Sequence, residues 1–154
     1  MRVLFLDFDG VLNSEASFRL EKRRSTQDIS NTLSELACAN LQYVLDQAPD
    51  LKLVISSTWR LLHDIDYLRM KLVQYGVDAS RVVGITPATL GRDRGHELKL
   101  WLAEYPEVLQ FVVVDDDRDA HVFDEDPRCL MIRTTWTDGL LLAHAEQIIR
   151  FLQL

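Results

Sequence analysis

Val3-Leu4-Phe5-Leu6-Asp7-Phe8-Asp9-Gly10-Val11 is the stretch on which the reading of this chain turns. The apolar run Val3 to Leu6 has the length of a buried strand, and Gly10 ends it. Such a strand delivers the carboxylates of Asp7 and Asp9 to its own C-terminal end. In open parallel α/β sheets that edge is where ligands bind. A stable core gains nothing from two acids there, because clustered carboxylates repel one another and are costly to desolvate. A cation, a phosphate or a shared proton resolves the repulsion. The competing reading is a plain turn, in which Asp9-Gly10 reverses the chain and does nothing more.

Outward from that stretch, the bulk properties fit one compact unit over residues 1–154, a common domain size. The formal charge of -7 argues against a broad electrostatic grip on nucleic acid, while leaving room for a local basic patch. Cys38 and Cys129 lie far apart and form no CxxC pair, so neither a zinc site nor a disulfide framework is indicated. Both read as small buried apolar residues. The chain enters a strand at once, without a signal-peptide pattern, and no apolar stretch approaches the ~20 residues of a membrane span. A soluble, reducing, cytoplasmic setting is the expectation.

Strand-like and helix-like segments alternate along the chain. Strands are expected at Val3–Leu6, Leu51–Ile55, Val82–Ile85, Phe111–Val114 and Cys129–Ile132. Helices are expected at Thr32–Gln47, Leu62–Tyr75 (stopped by Gly76), Gly95–Tyr105 and Leu140–Leu152. Residues 14–29 are polar and charged and read as an exposed loop or a short helix. This alternation implies βαβ units: a three-layer, Rossmann-like, parallel five-stranded sheet with helices on both faces.

Three of these strands end in chemically active side chains: Asp7 and Asp9, then Ser56 and Ser57, then Asp115 to Asp117. Parallel strands share one C-terminal edge, so neighbouring strands would bring these groups together. A gathering of carboxylates there requires a divalent cation. Oxygen-only ligands favour a hard ion, and Mg²⁺ is the usual choice where phosphate and water complete its shell. His63, His96, His121 and His144 are scattered, which disfavours a histidine-rich transition-metal site.

With these motifs in order, the chain resembles the haloacid dehalogenase-like (HAD) superfamily, in its phosphatase branch. Asp7-Phe8-Asp9-Gly10-Val11 looks like its first motif. Val54-Ile55-Ser56 resembles the second, an apolar strand ending in a hydroxyl, and Val113-Val114-Asp115-Asp116 resembles the fourth. The third is a basic residue before the last motif, for which Arg94, Arg92 and Lys99 compete; a helix N-terminus is a natural anion site, which points to Arg94. Ser56-Ser57-Thr58-Trp59-Arg60, Arg94-Gly95-His96-Glu97-Leu98 with Trp101-Leu102, and Gly139-Leu140 look like the small HAD domains associated with RNA-repair proteins.

That resemblance implies a Mg²⁺-dependent phosphatase acting on phosphomonoesters through an aspartyl-phosphate. Asp7 is then the nucleophile and Asp9 the acid and base. Mg²⁺ is held by the Asp7 carboxylate, the Asp9 backbone carbonyl and Asp116 or Asp115. Ser56, or Ser57 if the strand ends one residue later, binds a phosphate oxygen, and Arg94 supplies a fixed positive charge. Asp117 and Asp119 read as loop residues, with Asp119 in reach of the ion. Arg60 is expected either at a substrate phosphate or exposed. Trp59, Trp101 and Trp136 read as core or rim packing.

Larger relatives carry a cap domain between these motifs. Residues 13–50 and 61–93 are too short for one here, so an open site is expected, suited to a large phosphorylated substrate such as a nucleic-acid end or a phosphoprotein. Arg19, Lys22, Arg23 and Arg24 would either guide such a polyanion or form a solvated helix face. Two alternatives belong to other classes. A signalling domain resembling a response-regulator receiver needs a Lys on the fifth strand, and Cys129–Thr134 has none. A non-catalytic Mg²⁺- or phosphate-binding module usually lacks one of the first-motif acids, and both stand here.

Overall fold

Five short apolar runs pair side by side into one parallel sheet. The computed structural model describes residues 1–91 and 93–153. Its strands are β1 (Arg2–Leu6), β2 (Leu51–Ile55), β3 (Val82–Ile85), β4 (Gln110–Asp115) and β5 (Cys129–Arg133), in the spatial order β3-β2-β1-β4-β5. The helices are α1 (Glu15–Arg24), α2 (Glu35–Gln47), α3 (Ile65–Gln74), α4 (Arg94–Glu104) and α5 (Leu142–Gln153). From β1 the chain steps outward through β2 to β3, then returns past β1 to β4. Right-handed crossovers therefore place α2 and α3 on one face and α4 on the other. The reversal leaves a switch point between β1 and β4.

Both faces of the sheet are covered, which is why the strands are apolar on successive residues rather than on alternate ones. Leu4, Leu6, Leu53 and Ile55 pack with α2, α3 and α5, through residues such as Leu41, Leu72 and Ile148. Val3, Phe5, Val54 and Val113 face the other way, against Leu98 and Trp101 of α4. The edge strand β3 is the exception, with Val83 and Ile85 exposed.

Helix starts are set by caps rather than by the apolar period. The side chains of Ser34, Asp64 and Asp93 accept backbone N–H groups of α2, α3 and α4. Accordingly α2 starts at Glu35 rather than Thr32, and α3 at Ile65 rather than Leu62. Leu61 closes a separate 3₁₀ turn, Thr58–Leu61. Residues 14–29 do contain a helix, α1, opened by a reciprocal Ser14–Ser17 capping box and carrying no buried residue. Two of its basic groups face local acids: Arg19 lies 2.5 Å from Glu15, and Arg24 lies 3.9 Å from Glu21 and 3.8 Å from Glu35. Cys38 is buried, Cys129 is half-buried, and both are free thiols. Among the described residues no helix is long and apolar enough to cross a membrane.

Candidate active site

The register of the two central strands assembles the site. Leu6 lies opposite Val114, so the next residues, Asp7 and Asp115, emerge side by side at the switch point. Asp7 N–H donates to the Val114 carbonyl at 3.2 Å, and Ser56 N–H to the Leu6 carbonyl at 3.0 Å, which carries the ladder one step past the strands. Asp7, Ser56, Ser57 and Asp115 are all buried at that edge. The Phe8 N–H donates to Asp7 Oδ1 at 2.8 Å.

Arg94, the first residue of α4, reaches in from the other side. Its Nη1 lies 3.1 Å from Asp7 Oδ2 and 2.7 Å from Asp115 Oδ2. Two glycines make room for these groups. At Gly10, whose φ is +78°, a Cβ would stand 2.2 Å from Asp116 Oδ2; at Gly95 it would stand 2.6 Å from the Asp119 carbonyl. The first glycine admits the Asp116 carboxylate, and the second lets α4 press close to the loop after β4.

Carboxylate oxygens of Asp7, Asp115 and Asp116 lie within 4.8 Å of one another. Against them, among the described residues, stands the guanidinium of Arg94. Burial, and then the charge of Asp115, push the Asp7 carboxyl well above its ordinary value, against the pull of Arg94. Burial also raises Asp115, although Arg94 and the Asp117 N–H pull it back. Burial alone would lower Arg94, but Asp7 and Asp115 carry it above its usual value. A cluster short of positive charge, built from oxygen donors and given space by a glycine, fits a hard divalent cation. Asp115 commits Oδ2 to Arg94 and Oδ1 to the Asp117 N–H at 2.8 Å. Asp116 accepts no hydrogen bond among the described residues, which leaves its carboxylate the freer for an ion.

A family model described as the HAD domain in Swiss Army Knife RNA repair proteins matches residues 3–145. The chain belongs to that family. Two solved structures of the HAD domain of effector protein Lem4 from Legionella pneumophila share its fold. The first is 17% identical, with a TM-score of 0.63 over 97% of this chain and 94% of that one. The second, an inactive mutant, is 16% identical, with a TM-score of 0.59 over 97% and 96%. At these identities the likeness concerns the fold. No curated protein matches the chain.

In this HAD domain the expected residues meet at one edge, with some reassignments. Among the third-motif candidates, Arg94 faces the acids, Lys99 holds its ammonium 6.0 Å from the Phe123 ring, and Arg92 lies outside the described residues. Ser57 Oγ caps the following turn by accepting the Trp59 N–H at 3.2 Å. The Ser56 hydroxyl is buried at the same edge and makes no hydrogen bond among the described residues. Asp117 caps the turn at 118–120 and, like exposed Asp119, stands outside the acidic cluster. Trp101 packs edge-on against Phe5 in the core, whereas Trp136 is exposed and lies 5.7 Å from Phe18.

Of the two expectations for Arg60 the exposed one is overturned: its side chain is 4% exposed, although it lines the same cavity as Arg94. Its guanidinium donates to the carbonyls of Ser56, Ser57, Thr86 and Pro87 and to Glu97 Oε2, the last at 2.5 Å. It is a strut joining the ends of β2 and β3 to α4. Three further contacts lie outside the sequence reading, which takes Trp59 as packing and does not single out Asn13 or Thr134. Asn13 Nδ2 and Trp59 Nε1 donate to Asp9 Oδ1 at 2.8 and 3.1 Å. Thr134 Oγ1 donates to the Gly10 carbonyl at 2.6 Å and so braces the first-motif loop.

The site is open. Arg94 lines a cavity of about 420 Å³ with Thr58, Leu61, Thr89 and Leu90, and Asp9 lines another of about 320 Å³. Among the described residues no separate cap domain stands over either.

Proposed function

We propose that this HAD domain is a Mg²⁺-dependent phosphohydrolase acting on phosphomonoesters through an aspartyl-phosphate on Asp7. The observation that carries the reading is Arg94 Nη1 seated 3.1 Å from Asp7 and 2.7 Å from Asp115, beside the clustered carboxylate of Asp116. The Asp7 and Asp116 carboxylates and the Asp9 backbone carbonyl would hold the ion, with Asp115 as the orienting group for Arg94. When bound, Mg²⁺ offsets the carboxylate charge and neutralises charge on the transferring phosphoryl group.

The chain's own residues do the rest. Arg94 and the Ser56 hydroxyl bind non-bridging phosphate oxygens and hold the phosphorus in line with Asp7. An Asp7 carboxylate oxygen forms a bond to phosphorus as the bond to the leaving oxygen breaks. Asp9 gives its proton to that leaving oxygen. The Asp9 carboxylate then takes a proton from water as the water oxygen attacks phosphorus, which frees Asp7 and releases inorganic phosphate.

Substrate size follows from the openness of the site. Among the described residues no cap domain encloses the site, which leaves room for an exposed phosphate on a large molecule to reach Asp7. The family description names RNA repair proteins, which supports a phosphorylated nucleic-acid end as the substrate. The test is phosphate release, with and without Mg²⁺, from an aryl phosphate, nucleotides, 5′- and 3′-phosphorylated oligonucleotides and a phosphopeptide. The expected result is Mg²⁺-dependent turnover that is highest on an oligonucleotide and abolished in Asp7→Asn. Turnover favouring the phosphopeptide would overturn the substrate assignment. No turnover with Mg²⁺ binding intact would leave a binding module, and no Mg²⁺ binding would sink the site itself.

A further inference from the structure

Asp9 must present one oxygen to the leaving group, and its surroundings decide which. We infer that Trp59 and Asn13 are positioning residues that lock the Asp9 carboxyl so that Oδ2 alone handles the proton. This rests on the phosphohydrolase reading above. Asn13 Nδ2 lies 2.8 Å and Trp59 Nε1 3.1 Å from the same oxygen, Oδ1. Indole nitrogen only donates, and the Asn13 amide is oriented by its own Oδ1 accepting the Gly10 N–H at 3.0 Å. Oδ1 thus receives two protons that stay on their nitrogens and cannot itself carry the transferable one.

Both donors are rigidly placed. Asn13 is fully buried and Trp59 is 7% exposed. The Phe8 ring meets the Trp59 indole edge-on at 5.1 Å, and the Trp59 backbone N–H donates to Ser57 Oγ. The tryptophan therefore links the end of β2, where Ser56 sits, to the acid that follows β1. Asp9 and Trp59 also line the cavity of about 320 Å³, with Asn31, Thr58, Leu62 and His63, and this is where the alcohol half of a substrate fits. In the first half-reaction the Oδ2–H bond breaks and the proton moves to the alkoxide as it leaves phosphorus. In the second, Oδ2 takes a proton from the attacking water.

The experiment compares a phosphate whose leaving group needs no proton with one that does: 4-nitrophenyl phosphate against glycerol 2-phosphate. The ratio of the two rates within one variant does not depend on how much of it is folded. Trp59→Phe keeps an aromatic ring and removes one donor to a carboxylate. It should lower the glycerol-to-nitrophenyl ratio roughly tenfold. Asp9→Asn should lower the ratio further, by about 10²–10⁴. An unchanged ratio in Trp59→Phe, with a lowered ratio in Asp9→Asn, overturns the positioning role and leaves the phosphohydrolase reading standing. An unchanged ratio in Asp9→Asn overturns Asp9 as the acid, and with it this inference.

Discussion

The buried ion pair between Arg60 and Glu97 supports a quantitative test of how the site is held. Both side chains are 4% exposed and lie 2.5 Å apart. The other Glu97 oxygen accepts the Thr89 N–H at 2.9 Å. Glu97→Ala therefore leaves the largely buried guanidinium without its counter-ion and the Thr89 N–H without its acceptor. Breaking a buried pair by removing one partner costs about 3–5 kcal/mol. Against a typical total of roughly 5–15 kcal/mol, that is a large share. For a chain of this size each kcal/mol moves the melting point by about 2–4 °C, so a fall of roughly 6–20 °C is expected. Circular dichroism melts and urea titrations in metal-free buffer would measure it. Arg60→Met should cost at least as much, because it orphans Glu97 and removes the donor to the carbonyls of Ser56, Ser57, Thr86 and Pro87. The double variant Arg60→Met/Glu97→Leu leaves no unpaired charge and should lose less than the two single losses added together. Strict additivity, or a Glu97→Ala melt within about 2 °C of the parent, would refute the strut.

Two further outcomes follow from titrating groups. The Asp7 carboxyl is raised well above its ordinary value by burial and then by Asp115, so the folded state holds that proton more tightly than the unfolded chain. Its contribution to stability falls as pH rises from the unfolded value of about 3.9, so Asp7→Asn should melt higher than the parent in metal-free buffer at pH 7.5, by a margin that shrinks toward pH 4, and should gain less from added Mg²⁺. His144 runs the other way. Burial lowers it, and its Nδ1 accepts the Leu141 N–H at 3.1 Å just before α5. Its neutral-ring contribution is present above about pH 6.5 and lost as pH falls, so melts at pH 8 and 5.5 should differ more for the parent than for His144→Ala.

Much of the fold was legible because parallel strands buried on both faces leave unbroken apolar runs. Val3–Leu6, Leu51–Ile55 and Val82–Ile85 each lie within, or coincide with, an observed strand. Helix ends were less legible. Leu33 and Leu62 extend the apolar period across residues that serve as caps or turns, so the caps at Ser34 and Asp64 became visible only with the backbone in place. The acid pair and the second acidic strand end were readable for a physical reason. Buried carboxylates without partners are costly, so their presence at two strand ends marks a place where something else balances the charge.

The arginines show where such reading stops. Arg60 and Arg94 each follow a strand-and-loop segment, and each is a single cation near a hydroxyl or acidic motif. A place at a helix start points to Arg94, but composition and spacing leave the role of Arg60 open. What separates them is the sheet order. Thr86 N–H continues the β2–β3 ladder onto the Ile55 carbonyl. This brings the carbonyls of Thr86 and Pro87 beside those of Ser56 and Ser57, and a guanidinium placed there is used up by backbone oxygens and Glu97. Arg94 instead opens α4 over the switch point, where Gly95 lets the helix approach the loop after β4. The side chains within its reach are the carboxylates of Asp7 and Asp115. Arg60 is thereby consumed in holding α4, and α4 in turn presents Arg94. One cation fixes the frame, and the other is held against the two acids at the switch point.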